Sequence, residues 1–196
     1  MPQMACACIA ILVIEFALVA LVQTATAHEE QHTSISHGSL TLVGPELTIE
    51  ALPIEGLKAS ELRNNFEEIH NGHRHEAIDI IKPHGTPARA VVDGTIRKLF
   101  FSKAGGNTIY EFDEASVYCY YYAHLDRYAD GLYEGKHVSR GTVIGYVGST
   151  GNASPFVPHL HFAIHQLGPG KRWWAGTPVD PYPMLLRLLK NAPTHP

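Results

Sequence analysis

His159-Leu160-His161-Phe162-Ala163-Ile164-His165 is the stretch from which this fold is read. Leu160, Phe162 and Ile164 alternate with three histidines. In a β-strand, side chains two apart share a face. The run is therefore a strand with one apolar face, and His159 and His161 present two imidazoles side by side on the other. A second cluster lies far upstream, in Arg74-His75-Glu76-Ala77-Ile78-Asp79. It adds a third imidazole and a hard carboxylate. Two His and one Asp around an open fourth position suit a catalytic zinc ion. The chain carries 13 His, so a chance His-x-His is the ordinary alternative. Its coincidence with His-x-x-x-Asp, and with a further candidate at His124, favours the metal.

The strand pattern continues in both directions. Ala77 to Ile81 reads as a strand that ends in the turn Lys82-Pro-His-Gly-Thr-Pro. Ala88 to Val92 and Thr95 to Phe101 flank Asp93-Gly94, a two-residue hairpin signal. Thr108 to Phe112 and Val117 to Ala123 form a further pair. Tyr118, Tyr120 and Tyr122 share one face of the latter strand, and the reading assigns them mostly to the core. Val143 to Val147 is another strand, followed by a turn-rich loop from Gly148 to Pro155. Before these strands, Leu40 to Val43 and Leu47 to Ile49 read as short strands around Gly44-Pro45. Leu62, Phe66 and Ile69 have helical spacing, which predicts a short helix over 61–69, with Ser60 as its cap. A second short helix is expected around Met184–Leu189. Closely spaced strands with Gly and Pro turns make this an all-β domain with a mainly antiparallel sheet and short peripheral helices.

Residues 1–27 read as a secretory signal. Ile9 to Val22 is apolar apart from Glu15, and Ala25-Thr26-Ala27 is a cleavage pattern. The rival reading is an uncleaved anchor, but the run is short against the roughly 20 apolar residues of a membrane span. Residues 28–55 form a polar leader with short N-terminal strands, and 56–196 the main domain. Without the signal the formal charge moves from −4 to −3. That near-neutral balance gives no reason to expect nucleic acid or an acidic membrane surface as partner, and no stable membrane anchor remains once the signal is cleaved. Cys6 and Cys8 leave with the signal. Cys119, between two tyrosines in a strand, reads as a buried inert thiol.

His75 and Asp79 lie four residues apart, roughly 13 Å on a straight strand at about 3.3 Å per residue. Ligands about 2 Å from one zinc cannot be so distant. If both bind, the backbone bends between them. His70 and His73 are alternatives that spacing does not exclude.

The pattern resembles the zinc metallopeptidases of the lysostaphin and LytM type, the M23 family of peptidoglycan endopeptidases. His75 and Asp79 match the family's His-x-x-x-Asp, and His161 the second His of its His-x-His. Tyr122-Ala-His124-Leu125 matches its Tyr-x-His-Leu. Gly85-Thr-Pro-Ala-x-Ala with Asp93-Gly94, Gly141-Thr-Val-Ile-Gly145 and Gly148-Ser-Thr-Gly151 match further stretches, so the likeness covers about 70–166 in order. It implies an active-site groove between loops, one zinc per chain held by His75, Asp79 and His161, and His124 and His159 as catalytic imidazoles. It also implies peptidoglycan stem peptides as substrate and a periplasmic or secreted location. Zinc in such a site lowers the pKa of its water to about 7. Arg74 is either a bidentate donor to a substrate carboxylate or a solvated loop residue. Two departures stand out. Ala77 occupies a position that is usually Gly, and the loop 152–158 replaces a shorter link beside the groove. The alternative function is a non-catalytic wall-binding regulator of other cell-wall hydrolases. Such relatives lack zinc ligands, whereas every ligand position is filled here.

Overall fold

A computed structural model describes residue 47 and residues 49–191 other than 71. The signal at 1–27, the leader over 28–46, Cys6 and Cys8, and the strand expected over Leu40 to Val43 lie outside the described residues. Among the described residues, eleven strands and one α-helix follow in order: β1 (Ile69–His70), β2 (His73–Arg74), β3 (Ile78–Ile81), β4 (Pro87–Arg89), β5 (Gly94–Ser102), β6 (Gly106–Asp113), β7 (Tyr118–Tyr128), β8 (His137–Val138), β9 (Val143–Val147), β10 (His159–Leu167), β11 (Gly176–Val179) and α1 (Tyr182–Asn191). β1 and β2 form a small hairpin. The other nine make one sheet in which every pairing is antiparallel. The all-β reading holds.

β10 organises the sheet. One edge pairs with β7 over 161–166. The other edge is shared by β3, over 159–162, and β11, over 164–167. The expected alternation is realised: Leu160, Phe162 and Ile164 are fully buried, together with Ile78, Ile80, Tyr120 and Tyr122. Each buried large apolar side chain contributes about 1.5–3 kcal/mol. The opposite face of the sheet carries the histidines. Cys119 is buried on that side with Phe112 and Leu167, and burial pushes its thiol well above the ordinary range. The inert-thiol reading stands.

Three local expectations are corrected. The strands flanking Asp93-Gly94 do not pair with each other. β4 pairs with β9, and β5 pairs with β6 and β8. The glycine serves a close approach instead: a Cβ on Gly94 would lie 2.3 Å from the Phe112 carbonyl oxygen. Asp93 Oδ1 is occupied by the Arg140 backbone N–H at 2.8 Å. Secondly, 61–69 is not a helix. A 3-10 turn at Ala59–Glu61 is followed by extended chain and a turn that leads into β1. Leu62 and Phe66 are buried as their spacing suggests, while Ile69 is 64% exposed. Asn64 Oδ1 accepts the Phe66 N–H at 3.4 Å. Such side-chain bonds to nearby backbone compete with helix formation. Thirdly, Leu47 and Ile49 belong to no strand, although Ile49 is buried.

Under the site face sits a buried acid. Glu111 on β6 is fully enclosed, and burial raises its carboxyl to about 8. The Tyr122 hydroxyl donates to Oε2 at 2.5 Å and itself accepts the Val91 N–H at 3.1 Å. These contacts lower the carboxyl's pKa and the nearby Asp93 raises it, but burial dominates. An unfolded Glu ionises near 4.5. Between that value and about 8 the folded state therefore holds a proton that the unfolded state has lost. Stability is full below the lower value and falls as pH rises, by up to about 1.4 kcal/mol per unit. Urea unfolding from pH 5 to 8 is expected to show that decline in the wild type and a flatter profile in Glu111→Gln. Parallel profiles would contradict a neutral Glu111.

Candidate metal centre

The site is assembled by strand register. His161 on β10 lies directly opposite Asp79 on β3 and Ala123 on β7. Directly opposed residues share a face, with Cβ atoms about 4.5–5.5 Å apart. Asp79 is thereby presented to His161. His75 reaches the same point because the chain bends: Glu76 adopts φ +54 just before β3 begins. The bend required by ligand spacing is thus present. It lies at Glu76, so the buried Ala77 is accommodated without strain.

His75 Nε2, Asp79 Oδ1 and His161 Nδ1 form a near-equilateral triangle with sides of 3.1, 3.1 and 3.2 Å. Tetrahedral zinc with ligands 2.0–2.1 Å away holds its donor atoms about 3.3–3.4 Å apart. The triangle fits that geometry. Two imidazoles with one carboxylate suit zinc rather than magnesium or calcium, which take oxygen donors. The tautomers agree: His75 Nδ1–H donates to the Asn65 carbonyl at 3.2 Å, which leaves Nε2 as a lone pair toward the centre. Asn65 also donates from Nδ2 to Asp79 Oδ2 at 3.3 Å and accepts the Asp79 backbone N–H on Oδ1 at 3.2 Å. This one buried residue therefore orients two of the three candidate donors. Nothing in the sequence marked it, because it lies in the segment read as a helix.

Burial opposes ionisation of Asp79, but the neighbouring imidazoles of His161 and His75 outweigh it and hold the carboxyl far below its usual range. Burial also lowers His75, yet the Asp79 carboxylate raises it by more. His161 is lowered, with burial as the largest cause. A dication at the centre of the triangle would require all three donors deprotonated.

His124 enters the site through a bulge. Ile109 and Asn107 of β6 oppose Tyr122 and Leu125 of β7, so β7 carries one extra residue there. His124 sits in the bulge at φ +58, and its N–H donates to the Gly105 carbonyl at 2.8 Å. Without the bulge, His124 would share the core face of Tyr120 and Tyr122. With it, the imidazole swings to the metal face and Leu125 returns to the core. Its ring centroid lies 4.9 Å from that of His159 and 5.5 Å from that of His161. His124 Nδ1–H donates to the Thr150 carbonyl at 2.9 Å, so Nε2 is unprotonated. Burial first, then the neighbouring His161, lower its pKa to about 4. Thr150 also bonds through its hydroxyl to Leu125 O and Asn107 N–H, which ties the 148–152 loop to the bulge. Thr150 is a second supporting residue that the sequence did not single out.

His159 Nδ1–H donates to Val157 O at 2.9 Å, and its Nε2 lies 3.7 Å from Asp79 Oδ1. The five residues His75, Asp79, His124, His159 and His161 line one cleft of about 320 Å³. Asn152, Ala153 and Ser154 form its rim, as expected of the lengthened loop. His73 is exposed on β2 and is not part of the cluster. Arg74 does not line the cleft; its guanidinium pairs with Glu67 at 2.9 Å on the surface.

Residues 73–181, over half of the chain, match the model of peptidase family M23. Among curated relatives, the L-Ala–D-Glu endopeptidase of Bacillus subtilis (strain 168) is 35% identical over 116 residues, covering 57% of this chain and 34% of its own length. The peptidoglycan DD-endopeptidase ShyC of Vibrio cholerae is 34% identical over 88 residues, covering 45% of this chain and 19% of its own. The chain thus spans about a third or less of these relatives' lengths. Among solved structures, the catalytic domain of the antimicrobial peptidase lysostaphin from Staphylococcus simulans superposes with a TM-score of 0.51 at 33% identity, covering 59% of this chain and 81% of that domain. From the sequence match, and from the sheet that brings its histidines together, the chain belongs to peptidase family M23.

Proposed function

We propose that this protein is a zinc-dependent endopeptidase that hydrolyses peptide cross-links of bacterial peptidoglycan. The observation that carries the reading is the donor triangle of His75, Asp79 and His161, with two further imidazoles facing it across one cleft. A purely structural zinc site is closed by its ligands, usually four, and has no use for His124 and His159. Zinc, when bound, supplies a Lewis acid and a water acidic enough to ionise near neutral pH.

The chain's own residues do the rest. His75, Asp79 and His161 set the position of one ion per chain, and Asn65 holds two of them in place. His124, with Nδ1–H fixed on Thr150, offers Nε2 as the acceptor of a proton from the attacking water. His159 keeps Nε2 near the carboxylate and faces the developing charge on the peptide carbonyl. Arg74 remains a candidate donor to a substrate carboxylate if it exchanges Glu67 for substrate. The apolar run and cleavage pattern of residues 1–27 support a periplasmic or secreted location. The relatives named above are endopeptidases by name, one of them acting on peptidoglycan, which supports stem peptides as the substrate class.

The reading is tested by digesting purified sacculi with the zinc-loaded protein, with and without chelator, and separating the fragments. Expected is a loss of cross-linked dimers and a rise in monomers, abolished by chelator and restored by zinc. Intact dimers in the presence of fully zinc-loaded protein would overturn it.

A further inference from the structure

Beyond Tyr121, the site face of the sheet carries a second cavity of about 370 Å³. Its walls include Glu76, Tyr110, Tyr121, His165, Trp173 and Trp174. The aromatic rings follow one another in contact. Tyr121 and Tyr110 lie 4.7 Å apart, Tyr110 and Trp173 4.7 Å, and Trp173 and Trp174 5.2 Å. The series begins at the metal centre, because the Tyr121 ring meets His161 edge-on at 5.9 Å. Glu76, the residue after His75, closes the same side. It occupies the left-handed region at φ +54, a conformation that costs a non-glycine residue on the order of 1 kcal/mol and that marks functional sites. Its carboxylate forms no ion pair among the described residues.

Electron-rich ring faces and an uncommitted carboxylate together select a cation. An anion is repelled by the carboxylate, whereas an ammonium gains from both the rings and the charge. Aromatic faces attract ammonium groups within about 6 Å of the ring centroid. The Arg172 guanidinium already lies 6.0 Å from the Trp174 ring. Tyr121 lines this cavity and packs against His161, and Glu76 follows His75, so an occupant lies beside the donor triangle where the bond would be cut. We propose that this cavity is a specificity subsite that receives an alkylammonium side chain of the substrate, next to the scissile peptide. The inference rests on the metallopeptidase reading for its substrate, but the binding chemistry is independent of it.

The test is a titration of the full chain, followed by tryptophan fluorescence, with Nα-acetyl-lysine methylamide and with its Nε-acetylated counterpart. The two probes differ in the charge on the amine and in the acetyl group that removes it. The charged probe is expected to bind at least about tenfold more tightly, and Glu76→Gln, which keeps the side chain's size, is expected to remove most of that preference. Equal affinity for the two probes, or an unchanged preference in Glu76→Gln, would overturn the subsite. Sacculus digestion by the same preparation separates the two readings. Cleavage without charge discrimination removes the subsite and keeps the enzyme. Charge discrimination without cleavage removes the enzyme and keeps the ammonium site.

Discussion

His161→Ala is expected to abolish sacculus digestion, lowering the rate at least about 10³-fold, and to release the metal while the sheet stays folded. The imidazole is one corner of the donor triangle, with Nδ1 at 3.1 Å from His75 Nε2 and 3.2 Å from Asp79 Oδ1. Removing it leaves two donors, too few to retain zinc against solvent. The metal's charge stabilisation is worth several kcal/mol, and each 1.36 kcal/mol is a factor of ten in rate. The backbone pairs of β10 with β3 and β7 do not depend on this side chain, and the apolar face lies on the other side of the strand. Metal analysis and a thermal melt therefore separate this outcome from unfolding. A variant that kept its zinc and its activity would show that the ion is held elsewhere.

His124→Ala is expected to lower the rate by about 10²–10³-fold while the protein retains one zinc per chain. The magnitude is that of a positioned proton-transfer group. His124 is outside the donor triangle, and its ring lies 5.5 Å from His161 by centroid. Its loss therefore leaves the ligand set whole. The pattern to look for is a fall in kcat with metal content unchanged, the reverse of the His161 variant, in which both are lost. If metal left with His124, the histidine would be a ligand and the proton-acceptor role would have to pass to His159. The bulge offers a check on folding: its strained conformation at φ +58 is one that alanine adopts less readily than histidine. His124→Asn, which tolerates that conformation, is expected to show the same kinetic loss.

Different parts of this site were legible at different ranges along the chain. Alternation in 159–165 specified both the strand and the face that carries the imidazoles, because the period of a strand is local geometry. The His-x-x-x-Asp spacing required a bend, and the bend is there. The Asp93-Gly94 signal misled for a non-local reason: the glycine answers to the Phe112 carbonyl on a neighbouring strand rather than to a hairpin of its own. The helical spacing of Leu62 and Phe66 identified buried residues but not their conformation. Asn64 bonds to nearby backbone, and Asn65 reaches Asp79, fourteen residues on. The choice between His73 and His75 was open until the β1–β2 hairpin left the first exposed and the second beside Asn65.

The sequence by itself determined the all-β class, the apolar and histidine faces of β10, and the donor types that suit zinc, since each follows from side-chain chemistry and a period of two. Only the tertiary structure decided that Asp79 stands opposite His161, that one extra residue in β7 turns His124 from the core to the face of the donor triangle, and that Trp173, Trp174 and Glu76 meet around one cavity. Those arrangements depend on register between strands far apart in the chain. A shift of one residue exchanges the two faces of a strand, and no local pattern specifies that pairing.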